Sequence, residues 1–136
     1  MCIYAVFDTN VLVSAMLTSH KDTATAKMID AIVDLRIVPL FHQDILVEYY
    51  EVMSRKKFGF STEDVESMIG IITSFGVPAE RVLADEIVKD PKDLVFYEVA
   101  LSKKDAYVVT GNIKDFPSKP IVVTPAEMLK ILEETR

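Results

Sequence analysis

Apolar positions along the chain fall into two rhythms that alternate from end to end. Ile3-Tyr4-Ala5-Val6-Phe7 is an unbroken apolar run with β-branched and aromatic character, which predicts a short buried strand ending abruptly at Asp8. From Val11 to Leu17 the spacing changes to threes and fours, with Val11, Leu12, Ala15 and Met16 on one side of a short helix. A polar loop, Thr18 to Thr23, leads to a second helix from about Thr23 to Leu35, with a stripe of Ala26, Ile29, Ile32 and Val33. Arg36 to Phe41 is a brief apolar run that Pro39 demotes to an edge strand or a strand end. Gln43 to Ser54 predicts a strong helix with Ile45, Tyr49, Val52 and Met53 on one side and Glu48 at the margin of that stripe.

The second half repeats the alternation. Ser61-Thr62-Glu63-Asp64 opens a helix to about Phe75, which Gly76-Val77-Pro78 closes, and Arg81 to Ala84 reads as a short strand. In Asp90-Pro91-Lys92-Asp93, Asp90 suits an N-cap, Pro91 the first helical position and Asp93 the positive end of the helix dipole. The helix that follows runs to about Lys103 with Phe96, Tyr97, Ala100 and Leu101 as its buried side, and Asp93 faces the same way. Ala106 to Thr110 and Ile121 to Val123 predict two more strands, and Thr124-Pro125-Ala126-Glu127 is a capping box for a terminal helix. Alternating strands and helices joined by short loops predict an α/β fold with a mainly parallel sheet, in a single domain over 1–136.

Composition narrows the function classes. With 50% hydrophobic residues in 136, the chain can bury a real core without staples, and the lone Cys2 excludes an intrachain disulfide framework or a cysteine zinc cluster. Cys2 reads as a small apolar residue at a strand start. The N-terminus has no basic region before its apolar run, and no run is long enough for a bilayer, so the expectation is a cytoplasmic protein with no membrane partner. The formal charge of −6 is the wrong sign for holding a polyanion globally. A local basic patch escapes that argument, and Arg55-Lys56-Lys57, flanked by Phe58 and Phe60, is the one dense basic cluster.

Two strands, ending at Asp8 and Thr110, deliver polar residues to one edge of the predicted sheet, where open α/β folds hold ligands. Two helices present Glu48 and Asp93 inward. Each has an ordinary structural explanation: a cap for Asp8, a half-buried stem for Glu48, a dipole partner for Asp93. Together they form a set of carboxylates that repel one another unless cations neutralise them. Without a histidine or cysteine cluster, hard oxygen ligands point to Mg²⁺ or Mn²⁺ and to metal-assisted phosphoryl chemistry.

The segment Asp8-Thr9-Asn10-Val11-Leu12-Val13-Ser14-Ala15, the glutamate in Leu46-Val47-Glu48-Tyr49, Asp93 at a helix start, and Thr110-Gly111-Asn112-Ile113-Lys114-Asp115-Phe116 resemble, in order and spacing, the four acidic motifs of PIN-domain ribonucleases. The closest likeness is to prokaryotic VapC-like toxins of toxin–antitoxin modules. The resemblance implies a three-layer α/β/α sandwich with a mainly parallel central sheet and a metal-dependent endoribonuclease using Mg²⁺ or Mn²⁺. It makes Asp8 and Asp93 direct metal ligands, with Glu48 acting partly through water. The usual fourth aspartate is replaced by Asn112. Either Asp115, three residues on, supplies the missing carboxylate and metal ligand, or the site is a weakened form of the usual one. Thr110 resembles the family's small polar residue that orients a carboxylate or a phosphate, and Arg55, Lys56 and Lys57 become candidate contacts to the substrate backbone. The implied partners are an RNA substrate, a second copy in a homodimer, and a small antitoxin protein that blocks the cleft.

Two other readings compete. A PIN fold with Asn112 in its fourth motif could bind RNA or protein without cutting. A haloacid-dehalogenase-like phosphatase also begins with a strand ending in aspartate, but its chemistry needs a second acid two residues on, where this chain has Asn10.

Overall fold

A computed structural model describes residues 2–86 and 88–135; Met1, Ile87 and Arg136, which the 1–136 span takes in, lie outside the described residues. Among the described residues the order is β1 (Ile3–Phe7), α1 (Thr9–Leu17), α2 (Ala24–Val33), β2 (Ile37–Phe41), α3 (Gln43–Met53), α4 (Thr62–Phe75), β3 (Val77–Pro78), α5 (Pro91–Leu101), β4 (Tyr107–Val109), β5 (Val122–Val123) and α6 (Pro125–Glu134). Single 3-10 turns sit at Lys56–Phe58 and Ile113–Asp115. The five strands make one parallel sheet in the order β3-β2-β1-β4-β5. α5 packs on β1, β2 and β4, whereas α2 and α4 pack on β2 and on each other and α6 packs on α2. With the right-handed crossovers usual between parallel strands, α2, α4 and α6 lie on one face and α5 on the other, so the fold is a PIN-like α/β/α sandwich. No helix among the described residues is long and apolar enough to cross a membrane.

The helix starts follow their sequence signals. Asp90 accepts from the Lys92 N–H at 3.0 Å, with Pro91 in the first turn of α5. The Ser61 hydroxyl accepts from the Asp64 N–H at 3.1 Å, and the Thr124–Glu127 capping box forms both halves, at 2.9 and 3.1 Å.

Several details differ from the expectations. α2 ends at Val33, and Leu35 turns the chain away with φ of 63°. Its buried residues are Met28, Ala31 and Ile32, because the side facing α1 and α6 is the one that must bury, while Val33 is exposed. Arg81 to Ala84 forms no strand. The N–H groups of Val82 and Ala84 go instead to the main-chain carbonyl and the carboxylate of Glu98 on α5, at 3.1 and 2.7 Å. The third strand is Val77–Pro78. Pro39 lies in an interior strand, yet there the pairing is one-sided: Ile37 to Pro39 pair with β1, and β3 joins only at Leu40 and Phe41. α5 is buried at every position from Val95 to Ala100, since it covers one sheet face and carries the 79–86 segment on its outside. Leu101, expected inside, is exposed.

Candidate active site

Strand order reverses at β1, whose neighbours are β2 on one side and β4 on the other. The crevice between the carboxyl ends of β1 and β4 is therefore the switch point of the sheet, where α/β folds bind ligands. Asp8 stands there. Its N–H extends the sheet by bonding the Val109 carbonyl at 2.9 Å, and its own carbonyl starts α1 by accepting from Val11 at 3.0 Å. Asp8 holds the N-cap position, yet its side chain makes no cap hydrogen bond. The carboxylate instead accepts from the Thr110 hydroxyl at 2.8 Å, across the switch point. Thr110 is fully buried, and its oxygen also accepts from the Asn112 N–H at 2.9 Å. One hydroxyl thus ties the end of β4 to Asp8 and fixes the turn that follows.

Glu48 reaches the crevice because of its neighbour. The fully buried Tyr49 donates its hydroxyl to the Phe7 carbonyl at 2.5 Å and packs against Phe96, ring centroids 6.0 Å apart. Burial, with Asp8 nearby, pushes the Tyr49 hydroxyl far above its ordinary pKa, so it remains a neutral donor. With Tyr49 locked under β1, α3 cannot rotate, and Glu48 faces the same space as Asp8. Asp93 enters from the first turn of α5, and Asp115 from the 3-10 turn after β4.

These groups line one cleft of about 210 Å³, together with Thr9, Asn10, Val52, Arg55, Asp90 and Phe96. A groove of about 300 Å³ beside Met16, Phe60 and Met68 is larger but has an apolar lining. Carboxylate density, not size, marks the site. Asn112 is exposed and does not line the cleft, whereas Asp115 does. Lys56 and Lys57 also stay outside it; Lys57 lies over the Phe58 ring at 5.1 Å, and Phe58 stacks on Phe60 with centroids 5.7 Å apart. Asp90 is a fifth acidic wall that capping chemistry alone had explained. Its signal in the sequence was the three-residue spacing to Asp93, which puts both on one side of the first turn.

The electrostatics follow from this crowding. Burial pushes the Asp93 carboxyl up to about 6, helped by the charges of Asp8, Asp90, Asp115 and Glu48. Burial also raises Asp8, against the Thr110 hydroxyl that favours its ionised form, and the charge of Asp115 raises it further. Thr9 adds a buried hydroxyl with no hydrogen-bond partner. Among the described residues, no three acidic, histidine or cysteine side chains close on a single point as metal ligands do. The walls are acidic, but they stand apart.

A family model for the PIN domain matches residues 4–114. The chain belongs to the PIN-domain family. A comparison with curated proteins finds no match. PIN domains are generally nucleases, and PIN-domain nucleases typically use divalent metals. The matched span includes Asp8, Glu48, Asp93 and Asn112 and stops one residue before Asp115.

Proposed function

We propose that this PIN domain is a metal-dependent endoribonuclease that hydrolyses RNA phosphodiester bonds in the Asp8–Glu48–Asp93–Asp115 cleft. The observation that carries the reading is the convergence of those carboxylates at the switch point, where burial, and then the neighbouring charges, raise the Asp93 carboxyl. Such a site is electrostatically unfinished without a cation. The donor set fits Mg²⁺ or Mn²⁺, because the oxygens are hard and the Thr9 hydroxyl is buried without a partner. Asp8 and Asp93 would hold it, with Glu48 and Asp115 acting directly or through water. When bound, the ion supplies charge neutralisation and an activated water at the scissile phosphate.

The chain's own groups do the rest. The Thr110 hydroxyl keeps Asp8 in one orientation. Arg55, the one basic residue on the cleft wall among the described residues, meets the substrate's phosphate, and Lys56 and Lys57 extend that contact along the backbone. The stacked, lysine-covered Phe58 ring leaves the basic lip to bind phosphate rather than to stack bases.

The likeness of the four motifs to VapC-like proteins supports a toxin that pairs with a small antitoxin and acts as a homodimer in the cytoplasm. The alternative is a silent PIN module that binds RNA or protein, and the displacement of Asn112 from the cleft favours it if Asp115 fails to compensate. Cleavage of a single-stranded RNA with and without Mn²⁺ decides between the two. The nuclease reading expects Mn²⁺-dependent cutting that Asp8→Asn abolishes. Binding without cutting by a folded wild-type protein leaves the silent module.

A further inference from the structure

Outside the cleft, one cluster of charged side chains is joined to both helices that build it. Glu98, in the middle of α5, is only 2% exposed yet carries a carboxylate. One of its oxygens accepts from Arg81 Nε at 2.6 Å and the other from the Ala84 N–H at 2.7 Å. The same guanidinium reaches in the other direction, and its Nη1 donates to Asp44 at 2.9 Å. Asp44 lies in the first turn of α3, one turn before Glu48. Glu98 lies on α5, which begins with Asp90 and Asp93 on the cleft wall. A single arginine therefore spans the two helices that supply opposing carboxylates.

We propose that Arg81 is a positioning residue that sets the spacing between α3 and α5, and with it the distance between Glu48 and Asp93 across the cleft. The physical case rests on three points. The carboxylates of the cleft repel one another, so the two walls are pushed apart, and something must oppose that push. Tyr49 restrains α3 against β1 and packs on Phe96 of α5, but both contacts lie past the first turn of α3, where Asp44 sits. The planar guanidinium offers donors on two edges in fixed geometry, so it holds Asp44 and Glu98 at a set separation, which a lysine ammonium cannot do. Glu98 is the deep anchor. Its burial makes an unpaired carboxylate costly, so the Arg81–Glu98 half stays closed while the half-exposed Asp44 half transmits the register to α3.

This inference rests on the acidic cleft being the working site, so the experiment reads geometry and activity separately. Spin labels at Glu51→Cys on α3 and Lys92→Cys on α5, in a Cys2→Ser background, report the interhelix distance whether or not the protein cuts RNA. A single sharp distance is expected with Arg81 intact, and a broadened or longer one in Arg81→Lys and in the paired variant Arg81→Met/Glu98→Met. The paired variant removes both charges together and so avoids an orphaned buried carboxylate that could unfold the chain. Asp44→Asn, at a half-exposed position, breaks only the α3 arm. In label-free protein, each of these variants is expected to need at least tenfold more Mn²⁺ for half-maximal cleavage, while the KM for RNA changes less than threefold. If the folded variants keep the wild-type distance distribution, Arg81 is a loop tether and the proposal fails, whatever the cleavage result. A wild-type protein with the sharp distance and no cleavage overturns the nuclease reading alone.

Discussion

Asp8 sits where an aspartate normally caps a helix, and its carboxylate does something else. The cap position was legible in the local sequence; the bond to Thr110, 102 residues away, was foreshadowed only by the family resemblance, which cast Thr110 as orienting a carboxylate or a phosphate, because nothing local announces a contact between two strand ends. The same limit applies at Asn112. Spacing alone left open whether Asn112 or Asp115 faces the site, and the 3-10 turn at Ile113–Asp115 brings Asp115 to the cleft while Asn112 stays outside it, its main-chain N–H donating to the Thr110 hydroxyl. Asp115→Asn is therefore expected to lower cleavage at least tenfold, about 1.4 kcal/mol of barrier, whereas Asn112→Asp should leave the rate within about threefold, or roughly 0.6 kcal/mol. Rates of the two variants at saturating Mn²⁺ check this; the reverse order would return the site to Asn112. Asp93 carries the pH dependence. Its folded-state pKa is raised from 3.8 to about 6, so the folded protein holds this proton more tightly than the unfolded chain. Without metal, its contribution favours folding below about pH 4 and turns against it as pH rises through 6. Metal-free melts across this window should show stability falling with pH in wild type, and a flatter profile in Asp93→Asn.

At the scale of elements, periodicity located every helix, because amphipathic stripes and caps are written within a few residues. The phase of α2 was misjudged and α5 was under-buried, since which side a helix buries depends on neighbours that the local pattern does not name. The two-residue strand β3 was missed for a related reason. Val77–Pro78 pairs with only two residues of β2, and its place depends on how closely α4 ends against that strand. Gly76 permits the approach. Its backbone is extended and unstrained, but a Cβ there would run into the carbonyl oxygens of Pro39 and Ile72. Gly76→Ala is expected to destabilise by about 1–3 kcal/mol, the usual cost of overpacking against a backbone that must shift. Urea melts should show a lower midpoint with an unchanged slope. Because β3 is at the far edge of the sheet from β4, cleavage per folded molecule should match wild type.

At the scale of the whole molecule, the net charge of −6 argued against a polyanion partner, and the structure shows how that argument can mislead. Five of the acidic residues, Asp8, Glu48, Asp90, Asp93 and Asp115, lie in one cleft, where a bound cation would neutralise part of their charge. The same concentration of charge opposes folding when no cation is present. Ions that bind only the folded state stabilise it by mass action, with about 2.7 kcal/mol expected at a hundred times the dissociation constant. For a chain of this size that corresponds to a rise in Tm on the order of 5–10 °C. Millimolar Mn²⁺ should produce such a shift at pH 7.5, and it should shrink below pH 6 as Asp93 takes up a proton. Asp8→Asn and Asp93→Asn should melt above wild type without metal, because each removes one of several like charges, and gain less on adding Mn²⁺. Calorimetry of the three proteins with Mn²⁺ and with EDTA separates the contributions. A wild-type Tm that does not move at any Mn²⁺ concentration would show that the acidic cleft is not a metal site, and that its charge is tolerated for some other reason.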